Sequence, residues 1–187
     1  EGARLLGIHL EGPYLSPAQS GAQDPKYIRP PEPSEYGRFL DACGDIVRWS
    51  AAPELPGAMA FGRDLAGRGI LPSIAHTDAD FDTAAEALAN GYTHVTHLYS
   101  CMPGVHRVNA YRVAGAVEAA LYYDGFTVEI IADGCHLPAA LLGGDEPCGE
   151  VVPRGNMEHL GGADVSDPQT LVVHRNGAAP DPSGGVD

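Results

Sequence analysis

Acidic and imidazole side chains in this sequence fall, one after another, where apolar runs end. In LLGIHLEGPYLSP (residues 5–17) a single acid, Glu11, closes the run before a Gly-Pro turn. His76 ends LPSIAHT, His94 and His97 lie in YTHVTHL, and Asp133, Cys135 and His136 lie in ADGCH. A carboxylate ending a buried run needs a metal ion, a guanidinium or backbone donors, because an unpaired charge is costly away from water. A plain capping role for Glu11 is the competing reading. His9 lies two residues before Glu11 and shares its strand face. Taken singly, each histidine reads as readily structural as functional. His94 and His97 are three apart and would face opposite sides of a strand, so at most one points into a common site; periodicity does not say which. Together, one acid and several histidines at successive run ends favour a divalent metal site, with zinc or iron suited to these donors. Such an ion polarises a carbonyl and lowers the pKa of bound water.

The elements that must position these residues alternate. Strands are predicted over 4–10, 46–51, 70–77, 92–98 and 126–134, and helices over 35–43, 58–68 and 82–91. Asp78 or Asp80 caps the third helix and Gly91 closes it. Residues 16–33 form a long loop of Pro, Gly, Gln and Asp, a length that is often functional. The alternation predicts a parallel sheet with crossover helices. The runs read as apolar throughout, as in a sheet covered on both faces. Polar residues at successive carboxyl ends favour a barrel over an open sheet. From Gly143 the composition turns to Gly, Pro and Asp, with one short apolar run, Thr170 to Val173. Two regions are therefore expected: 1–142 as a partial barrel, and 143–187 as an irregular tail, disordered or non-native.

The 187 residues carry a formal charge of −14, which argues against nucleic acid and anionic membrane surfaces as partners. A small anionic substrate stays open, since a local arginine or metal outweighs the global field. Four cysteines (Cys43, Cys101, Cys135, Cys148) form no C-x-x-C pair and read as free thiols of a reducing cytoplasm. No signal-peptide pattern or membrane-spanning run is seen. The first residue is Glu1, which suggests a segment of a longer chain.

Three stretches, GIHLEGPYLSPAQSGAQDPKYI, IAHTDADFDTAAEALANGYTHVTHLYSCMPGVHR and VEIIADGCHLP, resemble N-acetylglucosamine-6-phosphate deacetylases of the amidohydrolase superfamily, in order over about residues 5–142. The resemblance implies an α/β fold, a partial (β/α)8 TIM barrel of the metal-dependent amidohydrolase type, lacking the N-terminal strands, the accessory β-domain and the last strands. It implies hydrolysis of N-acetylglucosamine 6-phosphate to glucosamine 6-phosphate and acetate, in a cytoplasmic homodimer. Residue by residue, it makes Glu11, His76 and His97 the metal ligands, with His94 facing away, and His136 a substrate contact. Ser100 and Cys101 stand where the family has Asn-Ala against the sugar phosphate. His106 and Arg107 match a phosphate-holding loop, to which arginine's fork is suited. Gln23, in GAQDP, replaces a substrate-contacting histidine. Gln23 and Ser100 leave room for another acetylated amino sugar or another amide. The family's catalytic aspartate should follow His136; Asp164 and Asp167 have no apolar strand leading into them, so no catalytic residue is assigned. A metal-binding segment without turnover is the other expectation.

Overall fold

The structure, a computed structural model, describes residues 4–142 and the backbone of two strands at 157–158 and 170–175. The chain runs β1 (Ile8–Glu11), α1 (Pro33–Ala42), β2 (Ile46–Ala51), α2 (Ala58–Gly67), β3 (Leu71–Ile74), α3 (Phe81–Ala89), β4 (His94–Val95), β5 (His106–Val108), β6 (Tyr111–Val113), α4 (Ala116–Tyr122), β7 (Thr127–Ile131), α5 (Ala139–Leu142), β8 (Met157–Glu158) and β9 (Thr170–Arg175). Local signals account for the helix ends. The Asp80 carboxylate, rather than Asp78, accepts the Thr83 N–H at 2.9 Å and caps α3. Gly91, at φ +98°, takes the left-handed turn just past its end, which a side chain would resist.

Strands β1, β2, β3, β4 and β7 are parallel neighbours in chain order, with β9 and β8 following antiparallel. Such an order has no reversal point, unlike a doubly wound sheet. The sheet is also curled. Arg48 on β2 and Glu129 on β7 are three strand spacings apart, roughly 14 Å if flat at about 4.8 Å each. Their side chains nevertheless pair at 2.7 Å.

The strands are not apolar on both faces, as their composition suggests. Trp49, Ala51, Ile74, Val95, Val128 and Ile130 pack with Tyr36, Phe61, Leu65, Ala84 and Ala119 of the helices in one buried core. Trp49 sits at its centre: ring centroids lie 5.6 Å from Tyr14 and 5.2 Å from Phe61, and its Nε1 donates to Gly12 O at 2.9 Å. The alternate positions turn to the concave face and are polar: His9, Arg48, Ser50, Ser73, His94 and Glu129. Alternation predicts this once the mid-run charges are weighted, because a buried charge on a sheet face needs a partner on the same face.

The elements depart from the sequence reading mainly as follows. The first strand begins at Ile8; Leu5 and Leu6 are exposed, and among the described residues β1 has a paired neighbour on one side only. Strand β4 is two residues long, because the backbone turns sharply at His97. The β5–β6 hairpin and α4 were not anticipated. Asn109, at φ +54°, makes the hairpin turn, and Glu118 Oε2 accepts the Gly115 N–H to cap α4; both signals stand in the sequence. Of the 143–187 region, the run at Thr170–Val173 lies within β9, paired with β7. The rest of that region, with Asp164 and Asp167, lies outside the described residues.

Candidate metal centre

Glu11 ends β1, His76 lies two residues past β3 and His97 two past β4, so three strands of one parallel sheet, with β2 between the first two, deliver them to one rim. Glu11 Oε1 is 2.7 Å from His76 Nε2 and 3.1 Å from His97 Nε2, and the two Nε2 atoms are 3.2 Å apart. Both histidines are buried, while a third of the Glu11 side chain is exposed, so the acid is less enclosed than the strand reading implies. The cluster therefore opens to the outside at its carboxylate.

The donor chemistry fits a cation. The Gln19 carbonyl can only accept, so His76 Nδ1, at 2.8 Å, carries a proton. In the neutral ring Nε2 is then a bare lone pair aimed at a carboxylate oxygen, as a metal ligand requires. Without a cation, a second proton must fill that gap. Consistently, although burial lowers the His76 pKa, the Glu11 carboxylate and Gln19 carbonyl outweigh it and the net shift is upward. Hydrogen bonds from His76 and then His97 hold the Glu11 carboxyl well below the ordinary carboxylate range. His97 Nδ1 is buried and has no hydrogen-bond partner among the described residues.

Both histidines sit in the left-handed region, at φ +45° and +37°, and Tyr99 (+76°) and Cys101 (+51°) share it. Each such residue costs about 1–2 kcal/mol, so the surroundings must impose the turns. Gly21 allows one close approach: a β-carbon there would stand 2.8 Å from Cys101 Sγ and 3.0 Å from His76 Cε1.

Beneath the cluster the concave polar residues bond to one another. Arg48 Nη2 donates to His9 Nδ1 at 2.7 Å, so His9 Nε2 donates to Ser50 Oγ at 2.7 Å. Ser50 and Ser73 both bond Thr96 Oγ1, at 2.9 and 2.7 Å, and Ser73 bonds His94 Nδ1 at 2.9 Å. His94 thus faces this network, away from the metal cluster. Burial first, then the Arg48 charge, push the His9 pKa down to about 4.

The other sequence candidates are placed as follows. Cys101 lies beside His76; burial and the Glu11 charge raise its thiol pKa. Ser100 neighbours it and is partly exposed, and Gln23 is exposed on the loop between β1 and α1. His106 and Arg107 are exposed on β5, with their Nδ1 and Nε bonded to Gly104 O and Asn109 O. His136 is exposed; its Nδ1 is 2.8 Å from Asp133 Oδ2. Backbone N–H donors of His136 and Cys135 lower the Asp133 pKa to about 2. Glu54, Arg48 and Glu129 were not singled out from sequence, although a charged residue inside or just after an apolar run was the available signal.

Fold and site together define an α/β protein with a curled parallel sheet that presents a Glu-His-His cluster, with donors suited to a cation, at its strand ends. No family model matches the chain. It is 40% identical over 136 residues to the N-acetylglucosamine-6-phosphate deacetylase of Bacillus subtilis, covering 72% of this chain and 33% of that protein. It is 34% identical over 142 residues to an N-acetylgalactosamine-6-phosphate deacetylase of Escherichia coli O157:H7, covering 75% and 37%. The fold matches the crystal structure of N-acetyl-D-glucosamine-6-phosphate deacetylase from Mycobacterium smegmatis with a TM-score of 0.68 at 38% identity, covering 72% of this chain and 35% of that one. Over the shared segment the chain is a homologue of the N-acetylglucosamine-6-phosphate deacetylases, and it spans about a third of the length of the relatives it matches.

Proposed function

We propose that this chain carries the metal-binding part of a deacetylase that removes the acetyl group from N-acetylglucosamine 6-phosphate, giving glucosamine 6-phosphate and acetate. The observation that carries the reading is the convergence of Glu11, His76 and His97 on one point, in a chain homologous to enzymes of that name. These three residues would hold a zinc or iron ion, whose chemistry is to polarise the amide carbonyl and lower the pKa of water. The parallel sheet is read as part of a (β/α)8 barrel, with the strand carboxyl ends as the reactive face.

The chain's own residues have separate tasks in this reading. His76 is oriented by Gln19 through Nδ1, so Nε2 stays available. His136, restrained by Asp133 through Nδ1, is the substrate contact. Ser100 and Cys101 border the sugar, Gln23 covers it from the β1–α1 loop, and His106 with Arg107 take the phosphate. No described residue is assigned as the general base that a deacetylation needs. A cytoplasmic homodimer is the proposed setting.

The test is acetate release from N-acetylglucosamine 6-phosphate, its galacto epimer and unphosphorylated N-acetylglucosamine by the full-length protein that contains this segment, with metal per chain measured alongside. Release from the gluco phosphate above all, lost together with the metal in His97→Ala, is expected. Release that survives His97→Ala, or none from protein holding one metal per chain, would overturn the reading.

A further inference from the structure

Glu54 stands outside the three-residue cluster, in the loop after β2. Its carboxylate is bound to the turn that follows β3: Thr77 Oγ1 donates to Oε2 at 2.5 Å and the Asp78 N–H donates to Oε1 at 2.6 Å. Thr77 is fully buried, its N–H donates to Cys101 O at 3.1 Å, and its hydroxyl accepts the Ala79 N–H at 3.0 Å. The residue before it is His76, in the left-handed conformation that a residue with a β-carbon adopts only under constraint. A carboxylate suits this place because both its oxygens accept, and bonds to an ionised acceptor are stronger than neutral ones.

We propose that Glu54 is a positioning residue for the metal centre: its two-oxygen grip on Thr77 and Asp78 holds the turn that aims His76 Nε2 at Glu11 and His97. The inference rests on the metal reading above. Glu54 touches none of the three ligands through the bonds described, and acts on one of them through its neighbours in the chain. An ordinary loop staple would alter stability alone; a positioning residue alters the metal.

The experiment is a zinc titration against a chromophoric chelator, with the visible spectrum of the cobalt-substituted protein, on the full chain. Glu54→Ala, Glu54→Gln and Thr77→Val are each made with His76 present and in a His76→Ala background. Glu54→Ala is expected to weaken zinc by about tenfold to a hundredfold, the range for such supporting partners, and to shift the cobalt bands. Glu54→Gln and Thr77→Val move the same way by less, and serve alone if Glu54→Ala does not fold. In His76→Ala the effect should vanish. Equal losses in both backgrounds, or a lowered melting temperature with zinc affinity and cobalt bands unchanged, would overturn the proposal. A parent chain that takes up no zinc removes the metal reading and this inference together. A parent that binds one zinc, with Glu54 variants binding as tightly, removes this inference alone.

Discussion

At the scale of the residue, the site turns on where protons sit. His76 Nδ1 is committed to Gln19, and Nε2 meets the Glu11 carboxylate. Its raised pKa means that the metal-free fold takes up a proton at Nε2 more readily than a free imidazole with its ordinary value of 6.5. A metal must displace that proton. Metal affinity should therefore fall as pH drops through and below the raised His76 pKa, and level off above it. The sign differs for His9, which stays neutral down to about pH 4 and so costs stability as pH falls from 6.5, because only the unfolded chain then takes up the proton. The difference in melting temperature between zinc-loaded and chelator-treated protein, taken at each pH, leaves His9 out of the comparison. That difference should grow from about pH 5.5 to 8, a window that starts roughly one unit below the ordinary imidazole value and reaches further above it because the folded value is raised. A pH-independent difference would mean that His76 does not bind the ion.

At the scale of the element, strand register depends on the concave polar network. Arg48 and Glu129 are largely enclosed and pair across β3 and β4, with His9 on the same guanidinium. Removing one partner strands a buried charge, which costs about 3–5 kcal/mol. Arg48→Met and Glu129→Gln should each destabilise by that order in urea unfolding, and the double variant by clearly less than their sum. Strict additivity would show that the pair is not coupled in solution. On the convex side, Trp49→Ala should cost about 3–5 kcal/mol, since its ring is fully buried among Tyr14, Phe39 and Phe61.

At the scale of the whole molecule, β1 has one hydrogen-bonded neighbour among the described residues, and Leu5 and Leu6, which lead into it, are exposed. An unprotected, apolar strand edge templates association. The 187-residue chain should show concentration-dependent light scattering, reduced in Leu5→Lys/Leu6→Lys with an unchanged melting temperature. Scattering that is equal in both would locate the contact elsewhere. Among the described residues no helix is long and apolar enough to cross a membrane. Cys43, Cys101 and Cys135 are free thiols.

What the sequence determined by itself is local or pairwise along the chain. The βα alternation, a cap at Asp78 or Asp80, the Gly91 stop and the acid and histidines at run ends all depend on residues within about one turn of each other. Glu11, His76 and one of His94 and His97 could be nominated because strand ends in a parallel sheet share one rim, and the resemblance to the deacetylases singled out His97. Tertiary structure alone decided the rest. Whether His94 or His97 turns to Glu11 and His76 depends on a left-handed bend after β4, imposed by packing rather than by alternation. The partners of Arg48 are 39, 46 and 81 residues away, and Glu54 meets a turn 23 residues on. Sheet curvature creates those contacts, and curvature is a property of five strands together that no single run of residues encodes.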